Sequence, residues 1–194
     1  MRGLKNLSFG KVFGIIVFTI ALFTLANQFK LHNNKKNPQN VNTAYQDNLV
    51  IKVSDGDTFT IRIKGKSEKI RLIGVDSPEV YHGPKDRGQE PWGTKAKKFA
   101  ENLVLNKEVK VVTDVTPKDQ YGRILAYIYV GDKFVNLEMI KSGNAVLLTY
   151  PPNVAHVEEF KAAQKQAKEK NIGIWDKKSG LDVSPYEYRR KKKK

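Results

Sequence analysis

Alternating and helically spaced apolar positions divide the middle of this 194-residue chain into short strands and amphipathic helices. Phe59, Ile61 and Ile63 alternate with Thr58, Thr60, Arg62 and Lys64, the period-two pattern of a half-buried strand. A turn at Gly65, Lys66 and Ser67 follows, and Ile70 to Val75 is apolar on both faces, as a central strand would be. Leu49 to Val53, Val109 to Val112 and Ile124 to Val130 complete five predicted strands. Ala96, Phe99, Ala100, Leu103 and Val104 recur at helical spacing, and a shorter helix is expected around Leu137 and Ile140, closed by Gly143. A third runs from Asn153 to Lys170 with Asn153 as its N-cap. Five strands and about three α-helices in this order predict an α+β domain over residues 48–176, built on a small Greek-key β-barrel.

The ends differ in character. Met1 to Lys11 carries three positive charges and no acid, and Val12 to Ala26 contains no charge at all. This has the form of a secretory signal over residues 1–26. The run is short for a bilayer span of about 20 residues, and Thr24 and Ala26 put small residues where a signal peptidase reads. Counting Leu4, Leu7 and Phe9 lengthens the segment, so a membrane tether through residues 4–26 is the alternative; either way the domain is expected to be secreted or held on the outer face of the membrane. Residues 27–47, rich in Asn, Gln and Lys, read as a polar linker or propeptide. Residues 177–194 have similar character and finish in six basic residues, read as a solvated run of like charge before any binding role.

Nine of the fifteen excess positive charges lie in those two ends, and the remainder still favours a polyanionic partner. The absence of cysteine excludes disulfides, thiolate metal sites and a cysteine nucleophile. His32, His82 and His156 have no ligand spacing and are expected at the surface.

The candidate chemistry sits at turns and strand ends. Asp55-Gly-Asp57-Thr58 precedes one strand, Arg71 to Glu79 contains Asp76, Ser77 and Pro78, and Tyr121-Gly-Arg123 opens another strand. Acids gathered with guanidinium groups suit a hard, oxygen-loving cation beside a phosphate: the cation takes anionic oxygens and Arg offers a fork matched to a phosphoryl group. With the first hairpin turn centred near Gly65 and Lys66, Asp57 would lie opposite residue 74 and Asp76 opposite residue 55, so both carboxylates occupy the open end of one hairpin. Strict alternation puts Arg71 on the other face from Asp76. Either a bulge at Gly74 or an early departure of Asp76 from the strand would reunite them.

Taken together and in order, these motifs resemble the staphylococcal nuclease (thermonuclease) family. The resemblance runs from about Leu49 to Trp175 and includes the strand from Gly122 to Tyr129 and the segment Tyr150-Pro-Pro-Asn153. It implies an OB-fold and a calcium-dependent endonuclease that cuts DNA and RNA, leaving phosphate on the 3′ side, and acts as a monomer. It implies further that Asp57 and Asp76 bind Ca2+ through their carboxylates and Ser77 through its main-chain carbonyl, at a position where the family usually has Thr. Arg71 and Arg123 would grip the scissile phosphate, and Glu79 would orient or deprotonate the attacking water. Tyr150 would pack near the nucleotide, while the position of a second family tyrosine holds Leu148. Lys85 and Lys118, on flanking loops, are candidate phosphate contacts. Trp175 matches a terminal core anchor of the family. The alternative is a non-catalytic OB-fold module that only binds nucleic acid, against which stands the retention of all five key acids and arginines.

Overall fold

The computed structural model describes residues 48–84 and 86–192. They belong to the second of two compact units, Thr43–Lys194, into which the chain divides. The expected signal or tether and the linker lie outside the described residues, as does Lys85.

Among the described residues, eight strands and four α-helices make up an α+β unit. Strands β1 (Leu49–Val53), β2 (Thr58–Ile63) and β3 (Lys66–Leu72) form an antiparallel meander, β3 pairs in parallel with β6 (Ile124–Val130), and β6 continues to β5 (Lys110–Val112) and the short β7 (Lys133–Phe134). This mixed sheet has the order β1-β2-β3-β6-β5 with β7 on β6, so its ladders do not close into a barrel. The segment leading into β5 nevertheless bonds back to β1: Asn106 N–H donates to Val50 O (2.9 Å) and Val50 N–H to Lys107 O (3.0 Å).

The first hairpin turns at Lys64 and Gly65, both with positive φ (48° and 77°), the pairing that matches the right-handed twist of its strands. This is earlier than the expected centre at Gly65 and Lys66, and the register moves by two residues: Thr58 faces Arg71, and Leu72 N–H, rather than residue 74, meets Asp57 O (2.9 Å). A shift of two leaves every side chain on its expected face.

The predicted strand Ile70 to Val75 is broken. β3 stops at Leu72, and β4 (Gly74–Asp76) pairs instead with β8 (Val146–Leu148) as a separate two-stranded sheet. Gly74 carries the break, with φ +76° and Phe160 so close that an added Cβ would lie 2.5 Å from its ring. Only glycine meets both demands. Asn136, wholly buried, seals the gap: its amide donates to Ile73 O (2.9 Å) and accepts from Ile128 N–H (2.9 Å).

Helices α1 (Trp92–Val104), α2 (Val135–Lys141) and α3 (Val157–Glu169) match the three expected, and Ala96, Ala100 and Val104 of α1 reach the core formed with Val50, Phe59 and Ile70. Asn153 does not cap α3, which begins four residues later after His156. It is buried and clamps a loop, accepting from Thr116 N–H and donating to Thr116 O, both at 2.8 Å. His156 packs against Tyr127 with ring centroids 4.6 Å apart, so it is part of an aromatic cluster rather than a bare surface residue. Trp175, in a short 3-10 turn, packs with the small apolar group of Trp92, Val146 and Ile174.

The C-terminal run also differs from the solvated tail expected. Helix α4 (Pro185–Lys192) is held by Trp92 Nε1–H donating to Ser179 O (2.7 Å) and Gln89 Nε2–H donating to Val183 O (3.0 Å). Its start is a capping box: Ser184 Oγ accepts from Glu187 N–H (3.2 Å), and the Glu187 carboxylate accepts from Ser184 N–H (3.1 Å).

Candidate active site

The break at Gly74 brings the buried Asp57 and Asp76 together with the partly buried Arg71. Asp57, at the mouth of β2, has its backbone set by Asp55, whose Oδ1 accepts Asp57 N–H (3.0 Å). Its side chain accepts Ser77 N–H through Oδ2 (2.7 Å) and Thr58 Oγ1–H through Oδ1 (3.0 Å), and it pairs with Arg71 Nη1. Arg71 Nη2 also reaches Asp76 Oδ1 (3.0 Å). The departure of Asp76 from the β3 line is therefore what lets one guanidinium span two carboxylates. Burial pulls the Arg71 pKa below its ordinary value, against the opposing pull of Asp76 and Asp55, while burial pushes Asp55 up against Arg71 and its Thr58 bonds.

Asp76 is fully buried, and its Oδ2 has no hydrogen-bond partner among the described residues. A buried, unpaired carboxylate oxygen is costly unless something cationic or donating meets it. The side chains here that could ligate a cation, Asp57 and Asp76, offer oxygens only, which fits a hard divalent cation better than a transition metal. Among the described residues no three His, Cys, Asp or Glu side chains converge as a complete cage.

Glu79 lies at the start of the loop to α1. Gln89 brackets it, accepting Glu79 N–H through Oε1 (3.4 Å) and donating its own N–H to Glu79 O (2.7 Å). Gly93 makes this packing possible, since a Cβ there would come within 2.1 Å of Glu79 O. Arg123, at the rim, is oriented by Asp119, whose carboxylate accepts Arg123 Nε–H (2.7 Å), Arg123 N–H (3.0 Å) and Tyr121 N–H (2.9 Å). Burial works to raise Asp119, but these bonds hold its pKa below the ordinary carboxylate value.

Between these elements runs a cleft of about 480 Å3 bordered by Asp57, Arg71, Glu79, Arg123 and Tyr150. An adjoining cavity of about 490 Å3 extends past Lys118 and Pro151 to Asn153. Tyr150 is 63% and Tyr121 71% exposed, so both rings are open to a ligand. Leu148 borders both spaces. The structure thus gathers Asp57, Arg71, Asp76 and Ser77 at the floor and places Glu79, Arg123, Lys118 and Tyr150 around the rim.

Two participants were not foreseen from the sequence. Asp119 is legible in hindsight, because Asp-Gln-Tyr-Gly-Arg is an Asx-type turn that returns its carboxylate to the arginine. The other is Arg189 of α4: its Nη2 lies 2.7 Å from Asp76 Oδ1 and its Nη1 2.7 Å from Glu79 Oε1. Burial works to lower its pKa, but Asp76 and Glu79 outweigh that and raise it. The signal for this helix was present as Ser184-Pro-Tyr-Glu187, a capping box with proline at the first helical position.

Comparison with known proteins bears on the chain as a whole. The family model described as staphylococcal nuclease homologue matches residues 69–177. A protein named thermonuclease from Staphylococcus intermedius is 34% identical over 164 residues, covering 84% of this chain and 96% of that one. Another of that name from Staphylococcus hyicus is 33% identical over 84% of this chain and 95% of its own length. An uncharacterized endonuclease of Haemophilus influenzae is 36% identical over 74% of this chain and 73% of its own. With its motifs in order, a matching family model and relatives aligned over nearly their whole length, the chain belongs to the staphylococcal nuclease homologue family.

Proposed function

We propose that this protein is a calcium-dependent endonuclease that hydrolyses phosphodiester bonds of DNA and RNA and leaves 3′-phosphates. The observation that carries the reading is the floor of the cleft, where Asp57 and Asp76 face a common guanidinium and a buried Asp76 oxygen stays unpaired among the described residues. Asp57, Asp76 and the main-chain carbonyl of Ser77 would hold Ca2+. Once bound, the ion would supply Lewis-acid stabilisation of phosphoryl charge.

The chain's own residues supply the rest. Arg71 and Arg123 both border the cleft, and two guanidinium forks on one phosphate orient it and stabilise the charge that builds in the transition state. Glu79, on the rim with part of its side chain exposed, holds a water for attack on phosphorus or takes its proton. As the water oxygen bonds to phosphorus, the bond to the 5′ oxygen breaks, that oxygen leaves as a hydroxyl with a proton from solvent, and the phosphate stays with the 3′ end. Tyr150 offers a ring to a base, and Lys118 adds a positive charge on the adjoining cavity wall. Lys85, outside the described residues, would contact a phosphate on the sequence reading alone.

In this reading residues 48–176 carry the OB-fold nuclease as a monomer, 1–26 export or tether it, 27–47 link it, and it works outside the cell. The test is an assay of the purified protein on DNA and RNA with calcium or with chelator, alongside Glu79→Gln. Intact substrate in every calcium reaction would instead favour a binding module.

A further inference from the structure

Among the described residues, the cleft without its C-terminal helix has no positive charge to spare for an anionic substrate. Five carboxylates, Asp55, Asp57, Asp76, Glu79 and Asp119, stand against Arg71, Arg123 and Lys118. That leaves two negative charges in excess. A divalent cation would do no more than neutralise them, before a phosphodiester adds its own. Helix α4 contributes Arg189 and Arg190, and both border the same cleft, together with Tyr186, which is 41% exposed.

Arg189 is placed with some constraint. It bridges Asp76 and Glu79 with two separate nitrogens, using two of the five donors a guanidinium carries. The helix that bears it is fastened to the loop that bears Glu79: Gln89 bonds both Val183 O and the backbone of Glu79, Tyr188 reaches Asp86 (3.4 Å), and Lys192 pairs with Asp86. Moving α4 therefore moves the partner of Glu79, and moving Glu79 strains the seat of α4.

We propose that α4 is a working wall of the cleft, with Arg189 a positioning residue for Glu79 and a third guanidinium for the nucleic-acid strand, flanked by Arg190 and Tyr186. The proposal rests on the nuclease reading for its substrate. Arg189 fixes the Glu79 carboxylate toward the cleft and offsets the charge that would repel a phosphodiester. Tyr186 puts a ring on the cleft that Leu148 also borders, where Leu148 itself has no ring to stack on a base.

The test uses the full chain with Arg189→Ala and Arg189→Lys, each checked for an unchanged thermal unfolding midpoint. Binding of a short single-stranded DNA in chelator is followed by fluorescence anisotropy across salt concentrations, and cleavage is followed separately with calcium. Removing one phosphate partner of a single strand reduces the slope of log K against log salt by about 0.7. Arg189→Ala is expected to show that reduction, with KM raised and kcat lowered at least tenfold. Arg189→Lys keeps the charge but not the fork, so the slope should return while kcat stays low. An unchanged slope in Arg189→Ala with wild-type or faster cleavage would overturn the proposal and make α4 a bystander or a plug. If the wild-type protein binds but does not cut, the nuclease reading fails, and the slope alone still decides whether α4 is a wall.

Discussion

The floor and the rim of the cleft are built in opposite ways. At the floor, Asp57, Asp76 and Ser77 are buried, Arg71 is partly buried, and the four are cross-bonded, each fixed by at least one contact from a neighbouring strand end. At the rim, Arg123 depends on one carboxylate, Tyr150 stands in solvent, and Glu79 is held by a loop and by a helix that arrives from the far end of the chain. Cross-bonds between strand ends hold the floor in place from within. A rim of exposed, singly held groups can adapt to a strand of variable sequence, but it depends on a few positioning contacts. Changes at the floor should alter cation affinity and stability together. Changes at the rim should alter turnover or binding with the fold intact.

The sharpest division is expected at Glu79. Glu79→Gln keeps size and the Gln89 bonds but removes the carboxylate, so kcat should fall by roughly 10²- to 10⁴-fold, the usual worth of general-base help. Affinity for single-stranded DNA should change little. Equal loss of binding and turnover would mean that Glu79 belongs functionally to the floor.

Next comes the Arg123 tether. Asp119→Ala frees the guanidinium without touching the floor, and misplacement on the order of 1 Å can cost about 10²-fold. Steady-state kinetics should show that loss in kcat/KM, with cation affinity unchanged by calorimetry. Wild-type kinetics would show that Arg123 finds its position without Asp119.

The floor should answer in stability. Asn136→Ala leaves Ile73 O and Ile128 N–H unpaired in the core, and each unsatisfied buried group costs about 1–3 kcal/mol. Urea unfolding should register a loss of that order, with weakened cation binding because Ile73 adjoins the break that delivers Asp76. A stable variant with normal cation affinity would show that the break is held by Gly74 and Phe160 alone.

Two smaller effects belong to the rim. Tyr150→Ala should weaken strand binding by about 1–3 kcal/mol if its ring stacks on a base, and a fluorescence titration that finds no change would remove it from the site. The depressed pKa of Asp119 makes the rim acid-sensitive: its contribution is complete above the unfolded carboxylate value of about 3.9 and is lost as pH falls through the lower folded value. Asp119→Asn should therefore flatten the stability profile below about pH 4, measured by thermal unfolding across pH.

The floor was largely legible in the sequence because its parts are local. Asp57 and Asp76 flank one hairpin, and the alternation of Phe59, Ile61 and Ile63 fixes which face is core. The turn position was missed by one residue, since Lys64 adopts a positive φ that lysine seldom takes and glycine alone advertises. The break in Ile70 to Val75 was visible only as an ambiguity at Gly74. Its resolution needed Phe160 and Asn136, contacts from elements far along the chain. The rim was less legible for the same reason. Asn153 looks like a helix cap until Thr116 is brought to it, and Arg189 looks like one of six solvated charges until α4 docks on Gln89 and Trp92. Local pattern carried the strands and the acids, whereas long-range packing decided which charges face the cleft.

In the proposed function the acid and arginine floor, with its Asp76 oxygen unpaired among the described residues, is a calcium-dependent phosphodiesterase site. End-group analysis of labelled single-stranded DNA incubated with the purified full chain, in calcium and in excess chelator, tests it most directly. Fragments ending in 3′-phosphate are expected with calcium, and intact strand in chelator. Undiminished cleavage in chelator, or fragments bearing 5′-phosphates, would contradict it.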